Sequence, residues 1–168
     1  HLRTLPAPGH LAETILLFRL DDYDDVFTWL HEVHHHVDPR VEIVTISATP
    51  PFPVPGHEDV TGHLIAVTGL AIVDTAEQAT AALAPFRACP VIDRALMTVF
   101  ESPVTFDELR ERQVMANPEG HRYRVDNAWI SGAAADVVPA IKRAYTALPT
   151  PQAFTIFRQR HARMVERV

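Results

Sequence analysis

The chain has 168 residues, 47% of them hydrophobic and 21% charged, which is enough for one α+β or comparable globular domain with a real core and too little for two ordinary ones. Fifteen Lys and Arg against 21 Asp and Glu leave a formal charge of −6, the wrong sign for a surface that neutralises phosphates, so nucleic acid and anionic membrane are not expected partners. A single cysteine, Cys89, excludes internal disulfides and multi-cysteine metal sites; it fits the cytosol or an unbridged secreted protein, and a cytoplasmic location is the expectation adopted.

Apolar stretches such as Leu64 to Val73 are far short of the roughly 18 residues that suggest a membrane span. The chain opens at His1 without an initiator methionine, so it is expected to be a piece of a longer protein.

Fourteen prolines punctuate a hydrophobic period that switches between two and about 3.6. Thr14 to Leu20 reads as a buried strand. Asp21, Asp22, Asp24 and Asp25 then place negative charge at the start of a helix running from about Asp22 to Val37, with Val26, Trp29, Leu30, Val33 and Val37 on one stripe and Pro39 as its stop. Val41 to Ala48 is a second strand, rich in β-branched residues, and the run from Pro50 to Gly56 is a loop. His63 to Val73 is the third strand.

Thr75-Ala76-Glu77-Gln78 has capping-box form and opens an alanine-rich helix to Phe86. Ala95 to Phe100 is a short strand, Thr105-Phe106-Asp107-Glu108 caps a helix to about Met115, and Asn117 to Gly120 is a turn. Alternation from Arg122 to Ile130 predicts a half-buried strand with Tyr123, Val125, Asn127 and Trp129 on one face and Arg122, Arg124 and Asp126 on the other. A helix from Ala134 to Leu148 follows, tolerating Pro139 only in its first turn, and Ala153 to Arg158 is a last strand before a basic tail. The opening β-α-β-β-α order is ferredoxin-like. The expected fold is therefore one α+β domain over residues 1–168, an antiparallel sheet with its helices mainly on one face and its other face uncovered. All four predicted helices carry an apolar stripe and are expected to bury it.

Three groups of residues bear on chemistry. His31-Glu32-Val33-His34-His35 satisfies H-E-x-x-H, the zinc-hydrolase pattern, but on a helix His31 and His35 fall opposite the apolar stripe, and no G-x-x-H continuation follows. His57, Glu58 and His63 are unanchored candidates for a third ligand, so the two histidines are expected to capture metal adventitiously at most and no metal site is assigned. Cys89 reads as a small buried residue. No G-x-S-x-G elbow, phosphate loop or dinucleotide fingerprint is present among six glycines, so the chain alone is expected to bind no nucleotide. Arg122, Arg124 and Asp126 are the candidates for a substrate-facing or domain-facing surface on the open side of the sheet, against the plainer reading of a solvated, ion-paired one.

The segment Ala81-Ala82-Leu83-Ala84-Pro85-Phe86-Arg87-Ala88-Cys89-Pro90-Val91-Ile92-Asp93, followed by Pro118-Glu119-Gly120-His121-Arg122-Tyr123, resembles the substrate domain of FAD-linked oxidases related to berberine bridge enzyme and 6-hydroxynicotine oxidase, in the vanillyl-alcohol oxidase superfamily. Leu5-Pro6 and the strand and helix after it resemble the passage from the flavin domain into that substrate domain, so the likeness runs over about residues 2 to 158. Val125, Asp126 and Asn127 stand where many relatives have an aromatic residue, a lysine and a serine, so that lysine's role is not carried over.

The resemblance implies a parent enzyme that passes a hydride from an alcohol or amine carbon to FAD and reoxidises the flavin. FAD would be bound mainly by a flavin-binding domain outside this chain, none by the chain alone, with the small-molecule substrate held between the two domains. The alternative reading is a stand-alone ferredoxin-like ligand-binding module that covers its open face with a second copy, as a homodimer.

Overall fold

Two helical crossovers decide the topology. In the computed structural model, which describes residues 7–117, 119–120, 122 and 124–159, the elements run β1 (His10–Arg19), α1 (Tyr23–Val33), β2 (Val41–Ala48), β3 (Leu64–Val73), α2 (Ala76–Leu83), β4 (Met97–Pro103), α3 (Phe106–Ala116), α4 (Ala134–Thr146) and β5 (Thr155–Gln159). The α1 crossover carries the chain from β1 past one strand position to β2, and β3 returns into the gap. The α2 crossover then carries it from β3 to the far side of β1. The result is a five-stranded sheet in the order β4-β1-β3-β2-β5, antiparallel at every pairing, with the split βαβ arrangement of a ferredoxin-like fold in its first four strands. No helix among the described residues is long and apolar enough to cross a membrane.

The core lies on one face. Ala12, Leu16 and Phe18 of β1 and Ile65, Val67, Ala71 and Val73 of β3 alternate onto the same side, where they meet Val26, Leu30 and Val33 of α1, Ala79, Ala82 and Leu83 of α2, and Val138 and Tyr145 of α4. Thr75 caps α2, its hydroxyl accepting from the Gln78 amide at 3.3 Å. After Leu83 the helix tightens into a short turn over residues 84–88 that begins with Pro85 and drops Phe86 onto Gly69 of β3. A Cβ at position 69 would collide with the Phe86 ring, so the close approach requires glycine.

The acidic run at the start of α1 clamps it at both sides. Arg94 pairs with Asp22 at 3.0 Å and also with Asp25, while Lys142 of α4 pairs with Asp24. Beneath these pairs Phe27 stacks on Tyr23 at 4.3 Å and meets Tyr145 edge-on at 4.6 Å. The Tyr145 hydroxyl donates to the Thr45 carbonyl at 3.0 Å and the Ser47 hydroxyl donates to the Tyr145 carbonyl at 2.9 Å, which fixes α4 over β2.

Four expectations need correction. Arg122 and residues 124–130 form no strand; the fifth strand is β5, paired to β2 through Thr45↔Phe157 and Ile46↔Ile156. Alternation records amphipathicity, which by itself places no segment in a sheet, and the strand beside β2 is β5. The first strand begins at His10 rather than Thr14, because Glu13 has a partner distant in sequence that makes a charge tolerable inside it. Pro139 is inside α4, beyond the first turn. Finally, α3 buries none of its own residues: Phe106 is 57% exposed and Val114 and Met115 are each 63% exposed. Its start is set by local chemistry alone, a capping box in which Glu108 accepts from the Thr105 amide at 2.7 Å and donates its own amide to the Thr105 hydroxyl at 3.2 Å.

Candidate functional site

Strand alternation sends the residues that do not meet helices to the opposite face of the sheet. These are Leu11, Glu13, Ile15 and Leu17 on β1, Leu64, Ala66, Thr68, Leu70 and Ile72 on β3, Glu42, Val44, Ile46 and Ala48 on β2, and Ile156 and Arg158 on β5. On β4 a bulge sets the pattern. The register shifts between Glu13 and Ile15, Glu101 takes φ 45°, and its amide donates to the Thr14 hydroxyl at 3.2 Å. One extra residue there brings both Val99 and Ser102 to the open face while Phe100 turns to the helix side, where the Arg87 guanidinium lies 4.2 Å from its ring centre.

Two segments reach this face from its ends. The loop between β2 and β3 packs Val54 and Val60 against Leu17, Leu64 and Met97, closing one corner as a small second core. From the β4 side, Arg112 of α3 reaches Glu13 at 2.6 Å. Between them Ile15, Val44, Ile46, Ala66, Thr68 and Leu70 are only half-buried, and Ile72 and Ile156 are 37% and 45% exposed. The face is thus an apolar floor with one buried carboxylate in it, Glu13, whose side chain is 5% exposed. Across from Glu13 stand Leu70 on β3 and Ser102 on β4. At the far edge Glu42 pairs with Arg158 at 2.6 Å.

The sequence-chosen candidates are elsewhere. Arg122, Arg124 and Asp126 are exposed on the irregular segment that precedes α4, and Asp126 accepts the neighbouring Asn127 amide at 3.0 Å. Val125 and Trp129, expected to face helices, are 75% and 91% exposed. His31 lies off the apolar stripe of α1, while His35 falls in the turn beyond the helix, which ends at Val33 and not at Val37; their ring centres are 6.1 Å apart, and the His34 ring lies tilted against His35 at 3.7 Å. Burial, reinforced by the neighbouring His35, holds His34 below the ordinary imidazole range. Among the described residues no group of three or more His, Cys, Asp or Glu is placed to hold a metal. Glu58 accepts the Gly56 amide at 2.9 Å and His63 bonds the Ala153 carbonyl at 3.0 Å, so neither is turned toward the histidines of α1. Cys89 is buried in the core and burial raises its thiol pKa, the opposite of what an activated nucleophile needs. A shallow groove of about 340 Å³ beside α2, lined by His36, Asp38, Arg40, Gln78 and Pro85, is closed on itself: Arg40 pairs with Asp38 at 2.9 Å and donates to Gln78 at 3.3 Å.

Sequence reasoning missed Glu13 and Arg112. The available signal was a lone carboxylate one residue before the predicted strand, in a run that is otherwise apolar. No family model matches the chain, and no curated protein or solved structure matches it significantly.

Proposed function

We propose that the chain is the substrate-binding domain of an FAD-linked oxidoreductase, its open sheet face covering the flavin and holding an alcohol or amine carbon against it. The observation that supports this reading is the asymmetry of the sheet. The helices with a buried stripe occupy one face, and the other presents half-exposed apolar side chains from all five strands. Strands about 4.8 Å apart and residues about 3.3 Å along them give this face a footprint on the order of 500 Å². A flat apolar wall of that size suits a planar ring system and an apolar substrate.

FAD, when bound by the parent protein, supplies the hydride acceptor. This chain contributes the wall: Ile15, Val44, Ile46 and Leu70 exclude water and set the depth at which a substrate carbon rests, while Glu13, Thr68 and Ser102 are the polar groups that fix its orientation. Arg122, Arg124 and Asp126 take no part in the sheet wall.

The test is the product of the whole reading frame that contains this chain. It is expected to purify with one FAD per chain, whereas residues 1–168 alone are expected to be colourless and inactive as an oxidase. A whole-frame product free of flavin overturns the reading. The same exposed floor favours one alternative, closure by a second copy in a stand-alone dimeric ligand-binding module, which sedimentation of that flavin-free product as a dimer would establish.

A further inference from the structure

We infer that Glu13 is the recognition point of the open face, and that its ligand is an apolar molecule carrying a protonated amine, whose nitrogen takes the place that the Arg112 guanidinium holds here. This rests on the reading of the open face as a ligand wall and adds the chemical class that the wall selects.

A carboxylate removed from water is strongly disfavoured unless a cation and hydrogen bonds compensate it. Glu13, 4% exposed as a residue, is therefore a position that demands a cation. It is also held on both sides: β1 is an interior strand, paired to β3 from His10 to Arg19 and to β4 from Ala12 to Leu17 across the bulge. The cation that answers it is the opposite. Arg112 is 46% exposed and comes from α3, a helix with no buried residue of its own. Two turns of helix separate Arg112 from the cap at Thr105, and ahead of the cap the chain is fixed where the Val104 amide donates to the Leu11 carbonyl at 3.1 Å. A strand-mounted carboxylate with a guanidinium delivered by a weakly held helix is a site with a displaceable internal occupant.

The surroundings narrow the class of ligand. Leu70 and Ile15 flank the carboxylate with apolar surface and Ser102 offers a hydroxyl beside it. An anionic ligand would meet the Glu13 charge, and a small polar cation would leave the floor uncovered. An amine on an apolar, preferably flat, body satisfies both: charge against Glu13, body against Ile15, Thr68 and Leu70. Because Arg112 must leave for the amine to enter, α3 is expected to shift when ligand binds.

Calorimetric titration of the protein at pH 8 with naphthylmethylamine, and with naphthylmethanol as its neutral counterpart, tests this. The amine is expected to bind at least tenfold more tightly than the alcohol. Glu13→Gln is expected to abolish that preference, and Arg112→Ala, at an exposed position, to tighten the amine severalfold by removing its competitor. Equal binding of amine and alcohol in both the wild type and Arg112→Ala overturns the inference, and Glu13 is then only an anchor for α3. The wall reading survives that result if the alcohol binds and Leu70→Glu removes it. Binding of neither probe to any variant overturns both.

Discussion

At the scale of single residues, the tightest constraint in the core is the contact of Phe86 with Gly69. Adding one methyl group there forces the ring off β3 or bends the strand, and overpacking of this kind costs about 2 kcal/mol. Gly69→Ala is expected to lower the urea midpoint accordingly, and to cost much less in a Phe86→Ala background, where the ring is gone; equal losses in the two backgrounds would show that the contact is not the cause. His34 gives the chain a pH dependence of definite sign. Its imidazole is held below the ordinary range by burial and then by His35, so the folded chain favours the neutral form. The unfolded chain takes up the proton as pH falls through about 6.5 and the folded chain resists it, so this contribution is complete above that pH and is lost below it. Asp38, held low by Arg40, acts in a separate window below the ordinary carboxylate pKa. The melting temperature is expected to fall between pH 7.5 and 5.5, and less so in His34→Gln; an identical fall in that variant would contradict this assignment. None of this is visible in the H-E-x-x-H string, which marks His31 and His35 and passes over the histidine between them.

At the scale of elements, legibility followed locality. The stripe of Val26, Leu30 and Val33, the cap at Thr75 and the box at Thr105 are set by neighbours a few residues away, and each appears where the sequence predicts it, although α1 ends at Val33 and leaves Val37 beyond the helix. The start of β1 depends on a partner that no window contains, since Arg112 lies 99 residues from Glu13, whereas β5 appears close to the predicted strand from Ala153 to Arg158, although its partner β2 is distant in sequence. Arg122 and residues 124–130 show the converse, an alternating pattern that no strand of the sheet takes as a neighbour. α3 is legible as a helix but not as an unpacked one, since its stripe has nothing to meet among the described elements. Its capping box should therefore govern the helix and not the fold. Thr105→Ala is expected to cost α3 about 1 kcal/mol, read as faster hydrogen exchange over residues 109–116, with the global unfolding midpoint unchanged. A matching loss of global stability would mean that α3 is part of the cooperative core.

At the scale of the whole molecule, the fold class and the one-sided placement of the buried helices were legible from the βαββα order and the periodicities, because every helix that buries a stripe needs the same sheet to do it. The composition of the other face was not. It emerges only when register brings half-buried residues from five strands side by side, and it replaces Arg122, Arg124 and Asp126 with a floor of Ile15, Val44, Ile46, Ala66 and Leu70 around Glu13. That floor is the centre of the functional account, and Leu70 stands in the middle of it on the central strand, where a charged side chain would point away from the core. The most direct measurement is anaerobic reduction of the flavin by substrate in the whole-frame protein carrying Leu70→Glu. FAD is expected to stay bound at one per chain while the reduction rate falls at least tenfold; reduction at the wild-type rate, with FAD retained, would contradict the assignment of this face to the substrate.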